Sequence, residues 1–281
     1  MNRYKKFSIP YFIWMLVFTG IPIILMLIFT ISNVESFTPY TFEFDKFAFS
    51  VSHFVKLGTK TVYLSLFRSF SYAFIATICC LLIGYPIAFI ISRMKSKYKF
   101  LLLLLFILPM WTNMLLRIQT MNNLLKPNSF LSNTLGISLD LTNFKSFKII
   151  IVMTLVYLPF MIFPIYTVLE KTDRKLLEAA SDLGASPIKS FFKITFPMSF
   201  KGIFSGITMV FLPAAMGFTI PQIVTDGDPN YVMIGQLIER QFMNSTPSFN
   251  FGSLLSLIIL VFVLGSLYII SRVDEEGETL I

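Results

Sequence analysis

Six stretches of the sequence carry almost no charge and approach or exceed about twenty residues, the length an α-helix needs to cross a bilayer core. They are 9–31, the run between Arg68 and Arg93, 100–117, the run between Lys148 and Glu170, 202–225 and 251–271. Inside lipid a backbone finds no water to bond, so only helices and closed barrels can span it. Barrel strands would be far shorter and would alternate apolar with polar residues, whereas these runs are continuous. The expected fold class is all-α, a polytopic membrane protein with about six transmembrane helices. Composition agrees: 55% of the 281 residues are hydrophobic and 14% are charged, where soluble domains carry roughly a quarter charged residues.

The formal net charge is +8, but the basic residues sit in the loops between spans, and no basic face is free of apolar segments. A nucleic-acid partner is therefore not expected. The positive loops instead set orientation, because cytoplasmic loops of membrane proteins collect Lys and Arg. Arg3, Lys5 and Lys6 precede the first span. Arg93, Lys95, Lys97 and Lys99 separate the second from the third. Lys171, Arg174, Lys175, Lys189, Lys193 and Lys201 separate the fourth from the fifth. These three segments face one side, the cytoplasm, and an even number of spans puts both termini there. The opposite loops are mixed in charge, with Glu35, Glu43, Asp45, Asp226, Asp228 and Glu239. The first apolar run is too long for a signal-peptide core and has no small-residue cleavage site, so it is expected to remain as a membrane helix.

Cys79 and Cys80 are adjacent, point apart on a helix and cannot readily pair. His53 is the single histidine, with no Cys/His cluster around it, so no metal site is expected. No G-x-x-x-x-G-K-[ST] loop is present, so no P-loop nucleotide site, no cofactor and no catalytic residue are assigned. Pro22, Pro86, Pro109, Pro159, Pro164 and Pro213 fall inside spans, where two readings stay open, ordinary packing or flexibility around a pathway. Arg117, at the end of a span, either snorkels or makes an interhelical hydrogen bond.

The cytoplasmic segment 170–201 is built as structure rather than tether. Asp173 is placed to cap a helix on which Leu176, Ala180 and Leu183 line one side beside Leu177. Gly184 fits the left-handed position after a helix end. Ser186 and Pro187 then fit the cap and first residue of a second short helix, with Ile188, Phe191 and Phe192 on one side until Pro197. Physically this hairpin either lies on lipid headgroups or docks a cytoplasmic partner.

Glu178-Ala179-Ala180, then Gly184, then Ile194 and Pro197 reproduce the spacing of the EAA loop of ABC importer permeases, with Phe196 where that family usually has Leu. The resemblance implies that residues 178–197 couple to ATP-binding subunits and that the type 1 permease domain covers 61–272. Residues 1–60 would then form an N-terminal transmembrane helix and first extracellular loop, and 273–281 a cytoplasmic tail. A narrower resemblance, to the spermidine/putrescine permeases, rests on Gly84-Tyr85-Pro86, Leu108 through Asn113 with Arg117, Leu158-Pro159-Phe160, and Glu178 through Ser186. The segment Asp226-Gly227-Asp228 departs from that pattern.

The resemblance implies these partners: two ATP-binding subunits, a second homologous permease subunit and an extracellular solute-binding protein, at the plasma or inner membrane. Candidate substrate-path residues are Tyr85, Trp111, Asn113, Tyr157, Asp226 and Asp228. The acids attract a cation from outside, and the rings either offer it faces or serve as interface anchors and packing. Thiamine, ferric iron and phosphonate are the alternative solutes of the same permease class. An ion-coupled secondary transporter would carry intramembrane carboxylates, and the six runs hold none.

Overall fold

The computed structural model describes residues 2–32, 48–127, 141, 143–243 and 247–278. Glu35, Glu43, Asp45 and the 279–281 terminus of the tail lie outside the described residues.

Among the described residues, four helices are each long and apolar enough to cross a membrane: α1 (Asn2–Thr30), α2 (Lys60–Arg93), α5 (Lys145–Lys171) and α10 (Phe249–Glu278). Two bent pairs pass the same test of length and composition when each is counted as one span. The helix α3 (Ser96–Trp111) turns through 105° into α4 (Met114–Leu124), and the segment Pro187–Met198 turns through 58° into α8 (Phe200–Met216). The straight spans expected over 100–117 and 202–225 are thus both broken. The first stops at Trp111; the second stops at Met216, with a separate short helix, α9 (Thr219–Val224), beyond it. In each case a proline, Pro109 or Pro213, lies just before the break and deletes a backbone donor from the last turn.

A break in a membrane span leaves backbone groups that lipid cannot satisfy, and the residues after Pro109 supply partners. Thr112 donates from its backbone N–H (3.3 Å) and from Oγ1 (2.7 Å) to the Pro109 carbonyl. Arg117 Nη1 donates to the same oxygen at 2.9 Å. Asn113 Oδ1 caps α4 by accepting from Leu115 N at 2.8 Å. The bond made by Arg117 therefore runs back to its own span, across the break, rather than to a neighbouring helix.

The chain divides into two compact units, Met1–Leu64 with Leu237–Gly265, and Ser65–Gln236 with Ser266–Ile281. In the first, His53 Nε2 bonds the Thr30 carbonyl at 2.7 Å, satisfying an acceptor at the end of α1. The Phe249 ring packs tilted against Phe29 and edge-on to Phe242. The apolar stretch of α1 is exposed along its length, as a lipid-facing helix must be.

In the second unit α5 is the central element. Ile149, Val152, Met153, Val156, Met161 and Ile165 are fully buried, and α8 packs along it. Between lipid-embedded helices no hydrophobic gain drives association, so close approach must supply the adhesion. Gly202 and Gly206 provide it as a G-x-x-x-G pair. A Cβ on Gly202 would lie 2.9 Å from both the Ile165 Cα and the Pro164 carbonyl, and one on Gly206 would lie 2.7 Å from Met161 Sδ. Cys79 and Cys80 are both free thiols, and Cys80 donates to the Thr154 carbonyl at 3.4 Å. At the opposite end from the basic loops, α9 is held by buried polar side chains, with Asn122 Nδ2 donating to the Ile223 carbonyl and Gln236 Nε2 to Gln222 Oε1; beside it Ile234 N donates to Ser69 Oγ.

Gly202→Ala places its methyl against backbone that cannot yield and is expected to destabilise the helix pair by about 1–3 kcal/mol, the cost of overpacking. Gly265→Ala, where an added Cβ meets nothing within 4 Å, should melt like the parent. Thermal unfolding of the purified protein in detergent checks both.

Candidate functional site

The loop between α5 and α8 folds as the helix–turn–helix that its residues specify. Asp173 Oδ1 accepts from Lys175 N at 3.0 Å and starts α6 (Arg174–Asp182). The helix closes with paired bonds, Gly184 N to the Ser181 carbonyl at 2.9 Å and Ala185 N to the Ala180 carbonyl at 3.0 Å. This is the Schellman arrangement, which needs a left-handed residue at its centre. Gly184 supplies it with φ of 78°. Ser186 Oγ accepts from Lys189 N at 3.3 Å and Pro187 opens α7 (Pro187–Ser190).

The second arm differs from the single short helix expected up to Pro197. After α7 the backbone widens into a π turn over Phe191–Thr195, continues through Phe196–Met198 and bends at Ser199 into α8. Of the three apolar residues expected on one side, Ile188 and Phe192 stay exposed while Phe191 is half-buried, its ring edge-on to that of Phe192 at 5.1 Å. Phe191 turns inward, edge-on to Phe89 (5.4 Å) and Tyr85 (5.9 Å). Ile188 and Phe192 are 73% and 63% exposed, and Leu183 at the hairpin tip is 88% exposed. These exposed apolar side chains give the hairpin a surface for lipid headgroups or a partner to cover.

All six residues of the EAA-type pattern lie on this hairpin. Glu178, Ala179 and Pro197 are exposed, Ala180 and Ile194 are half-buried, and Gly184 makes the turn. Behind the hairpin, where it meets the end of α2, lies a cavity of about 380 Å³ lined by Phe89, Arg93, Leu177, Ser181, Ser190 and Phe191 among others.

The candidate path residues fall in separate places. Tyr85 is buried at the root of the hairpin. Ser199 gives its hydroxyl proton to the Phe196 carbonyl (2.7 Å), which leaves Oγ to accept from Tyr85 at 3.0 Å, and the Tyr85 ring meets Phe196 edge-on at 5.8 Å. Its hydroxyl and its ring thus both serve packing in this conformation. Tyr157 is buried in the core and donates to the Pro213 carbonyl, at the second break, at 3.4 Å. Trp111, 84% exposed, and Asn113 flank the first break.

Asp226 and Asp228 are brought together at the far end of α5 from the hairpin. Asp226 and Gly227 both adopt left-handed φ, 53° and 76°, and turn the chain sharply. Asp228 Oδ1 accepts from Asn230 N at 2.9 Å, starting the turn Pro229–Tyr231, and Oδ2 accepts from Lys145 Nζ at 2.6 Å. The hydrogen bond from Lys145, reinforced by the Asn230 N–H, holds the Asp228 carboxyl below the usual carboxylate range. A depressed carboxylate keeps its partner above its unfolded pKa and loses it only as pH falls through the folded one, so the pair is intact at neutral pH.

Three participants escape a reading of the sequence. Ser199 gives no signal among many hydroxyls. Tyr231 gives none either, and Lys145 only a weak one: it opens a span on the side opposite the basic loops, against the charge pattern of the other loops, and asks for a counter-charge. The Lys145 ammonium also lies 5.6 Å from the Tyr231 ring centroid.

With this geometry in place, the chain can be set beside known proteins. The model of the family described as "Binding-protein-dependent transport system inner membrane component" matches residues 81–273. The spermidine/putrescine transport system permease protein PotB of Haemophilus influenzae is 34% identical over 280 residues, covering 98% of this chain and 95% of that protein. PotB of Escherichia coli is 32% identical over 263 residues, 92% of each chain. A crystal structure of a bacterial ABC transporter importing the acidic polysaccharide alginate contains a chain of the same fold, with a TM-score of 0.71 at 18% identity and coverage of 96% of this chain and 95% of that one. Fold, span content and family match coincide: the chain is a multi-pass membrane protein that belongs to the binding-protein-dependent transport system inner membrane component family.

Proposed function

We propose that this chain is the permease subunit of an ABC importer for the polyamines spermidine and putrescine, working with two ATP-binding subunits, a second homologous permease and an extracellular solute-binding protein. The observation that carries the permease role is the hairpin at 173–199. It has a fixed glycine turn, an exposed apolar tip and a root packed against α2 through Phe191 and Tyr85. A rigid element with an unpartnered apolar tip is suited to fill a cleft on a motor subunit and to pass its movement into the spans. Glu178, Ala179, Ala180, Gly184, Ile194 and Pro197 form the coupling surface in this reading.

The polyamine assignment is supported by likeness to the PotB proteins over nearly the whole chain. The permease core then runs over 61–272, preceded by the first helix and outer loop (1–60) and followed by the tail (273–281). Both termini and the hairpin are cytoplasmic, and the Asp226–Asp228 loop faces outward. The energy comes from ATP hydrolysed in the partner subunits. Trp111 and Asn113 at the α3–α4 break, with Tyr157, remain the inner-path candidates in the working cycle.

Three outcomes are expected. Lys189→Cys, at an exposed position on the hairpin, should react with an impermeant maleimide only from the cytoplasmic side when Cys79 and Cys80 are replaced; labelling from outside would reverse the orientation. Gly184→Val forces a β-branched residue into the left-handed region, costing roughly 1–2 kcal/mol. It should insert normally yet lose transport and co-purification of the ATPase. Gly184→Asn, which tolerates that conformation in a site with nothing within 4 Å, should retain both. Uptake of radiolabelled spermidine and putrescine by cells should depend on this chain, whereas dependence of thiamine or ferric iron uptake alone would replace the solute and keep the permease.

A further inference from the structure

The ammonium of Lys145 sits in a small receptor. It donates to Asp228 Oδ2 at 2.6 Å, lies 5.6 Å from the Tyr231 ring centroid and feels the nearby charge of Asp226. A carboxylate joined to an aromatic ring with a cation beside it is the recognition chemistry of a primary ammonium. The end of a linear diamine is the same –CH2–NH3+ group that Lys145 carries. The receptor stands without the lysine. Asp228 Oδ1 and backbone are fixed by Asn230 N, by a bond from Asp228 N to the Thr225 carbonyl and by one from Tyr231 N to the Asp228 carbonyl. Gly227 N is tied to the Gln222 carbonyl. The pair is also reachable, with side chains 34% and 22% exposed, and a solvent-accessible ion pair is weak and exchanges readily.

We infer that the Asp228–Tyr231 turn is an ammonium-binding site for a primary amine, that Lys145 fills it as a tethered stand-in, and that a terminal ammonium of the arriving substrate displaces the lysine. This deepens the polyamine reading and rests on it for the identity of the substrate. The lysine does two things. It keeps the acid paired when no substrate is present, so a carboxylate is not left bare at the entrance. Once displaced, it stays close as a like charge and a competitor, so the bound amine is held loosely and moves on. The site is at the start of α5, and the hairpin continues directly from the other end. The 27 residues between put about 40 Å between them at 1.5 Å per residue, the two ends of one crossing.

The test uses the assembled complex in nanodiscs, without the solute-binding protein, and reads equilibrium binding of radiolabelled putrescine and of methylammonium as a single-ammonium probe. Lys145→Gln should bind both about two- to fivefold more tightly, while transport turnover in the full system falls. Lys145→Arg should bind like wild type. Asp228→Asn should bind more weakly, and adding Asp228→Asn to Lys145→Gln should erase the gain. Tyr231→Leu, which leaves the ion pair in place, should weaken binding by itself and keeps the test open if Lys145→Gln does not assemble. Binding by Lys145→Gln that is no tighter than wild type, or unaltered binding by Tyr231→Leu, overturns the site. If the complex imports polyamines and the gain is absent, the receptor fails and the polyamine reading stands. If methylammonium binding shows the gain while polyamines are not imported, the receptor stands and the substrate assignment fails.

Discussion

Lipid offers no hydrogen bond to a backbone, and the architecture is shaped by how the chain meets that constraint where it cannot stay helical. A straight span satisfies itself. The α3–α4 break does not, and it draws in Thr112, Asn113 and Arg117 within a few residues of Pro109. The α8–α9 break behaves alike: the Pro213 carbonyl accepts from Gly217 N at 2.8 Å and from Tyr157. Arg117 illustrates the energetics. A guanidinium near a membrane is costly unless it is bonded, and a carbonyl exposed by a break is costly unless it accepts; each relieves the other.

The same constraint explains how the second unit is joined. The helix α5 presents side chains that are buried almost all round, and α8 approaches it through Gly202 and Gly206, so the two behave as one rigid pair. The two ends of α5 differ in kind. One end runs straight into the hairpin, an apolar and basic surface anchored by aromatic edges. The other begins at Lys145, in a polar neighbourhood of carboxylates. A second ion pair, Lys99 to Glu170 at 2.7 Å, ties the start of α3 to the hairpin end of α5. Exposed pairs of this sort contribute little stability, but they limit the positions the helix ends can take.

How much of this is legible in the sequence depends on the length scale of the signal. The spans are legible because hydrophobicity summed over about twenty residues leaves no alternative. The hairpin is legible because caps are chemical: Asp173, Gly184, Ser186 and Pro187 each do locally what their side chains dictate. The breaks are ambiguous in sequence, since prolines recur through the apolar runs and, of the six named above, only Pro109 and Pro213 lie in the last turn of a helix. Those two are set apart by the next few residues, Thr112-Asn113 and Gly217, which a hydropathy sum does not register. The G-x-x-x-G at 202–206 is a close-packing face in the sequence, but its partner α5 is given only by the structure. The π turn and the inward set of Phe191 have no local signature. They come from tertiary packing against Tyr85 and Phe89, which lie about a hundred residues away in the chain, a pairing that no spacing rule encodes.

That π turn sits between the hairpin tip and α8, and it fixes an angular phase. In an α-helix each residue advances the azimuth by about 100°, so a turn carrying one additional residue sets everything after Thr195 at a rotation that an uninterrupted helix would not have. Loss of a single residue from Phe191–Thr195 would let the turn close to α-helical width and absorb the deletion, leaving α8 at nearly the same azimuth with Gly202 still toward α5. A deletion within α8 itself would turn every later residue by about 100°. The wide turn is thus the place in this arm where chain length can change without re-aiming the span.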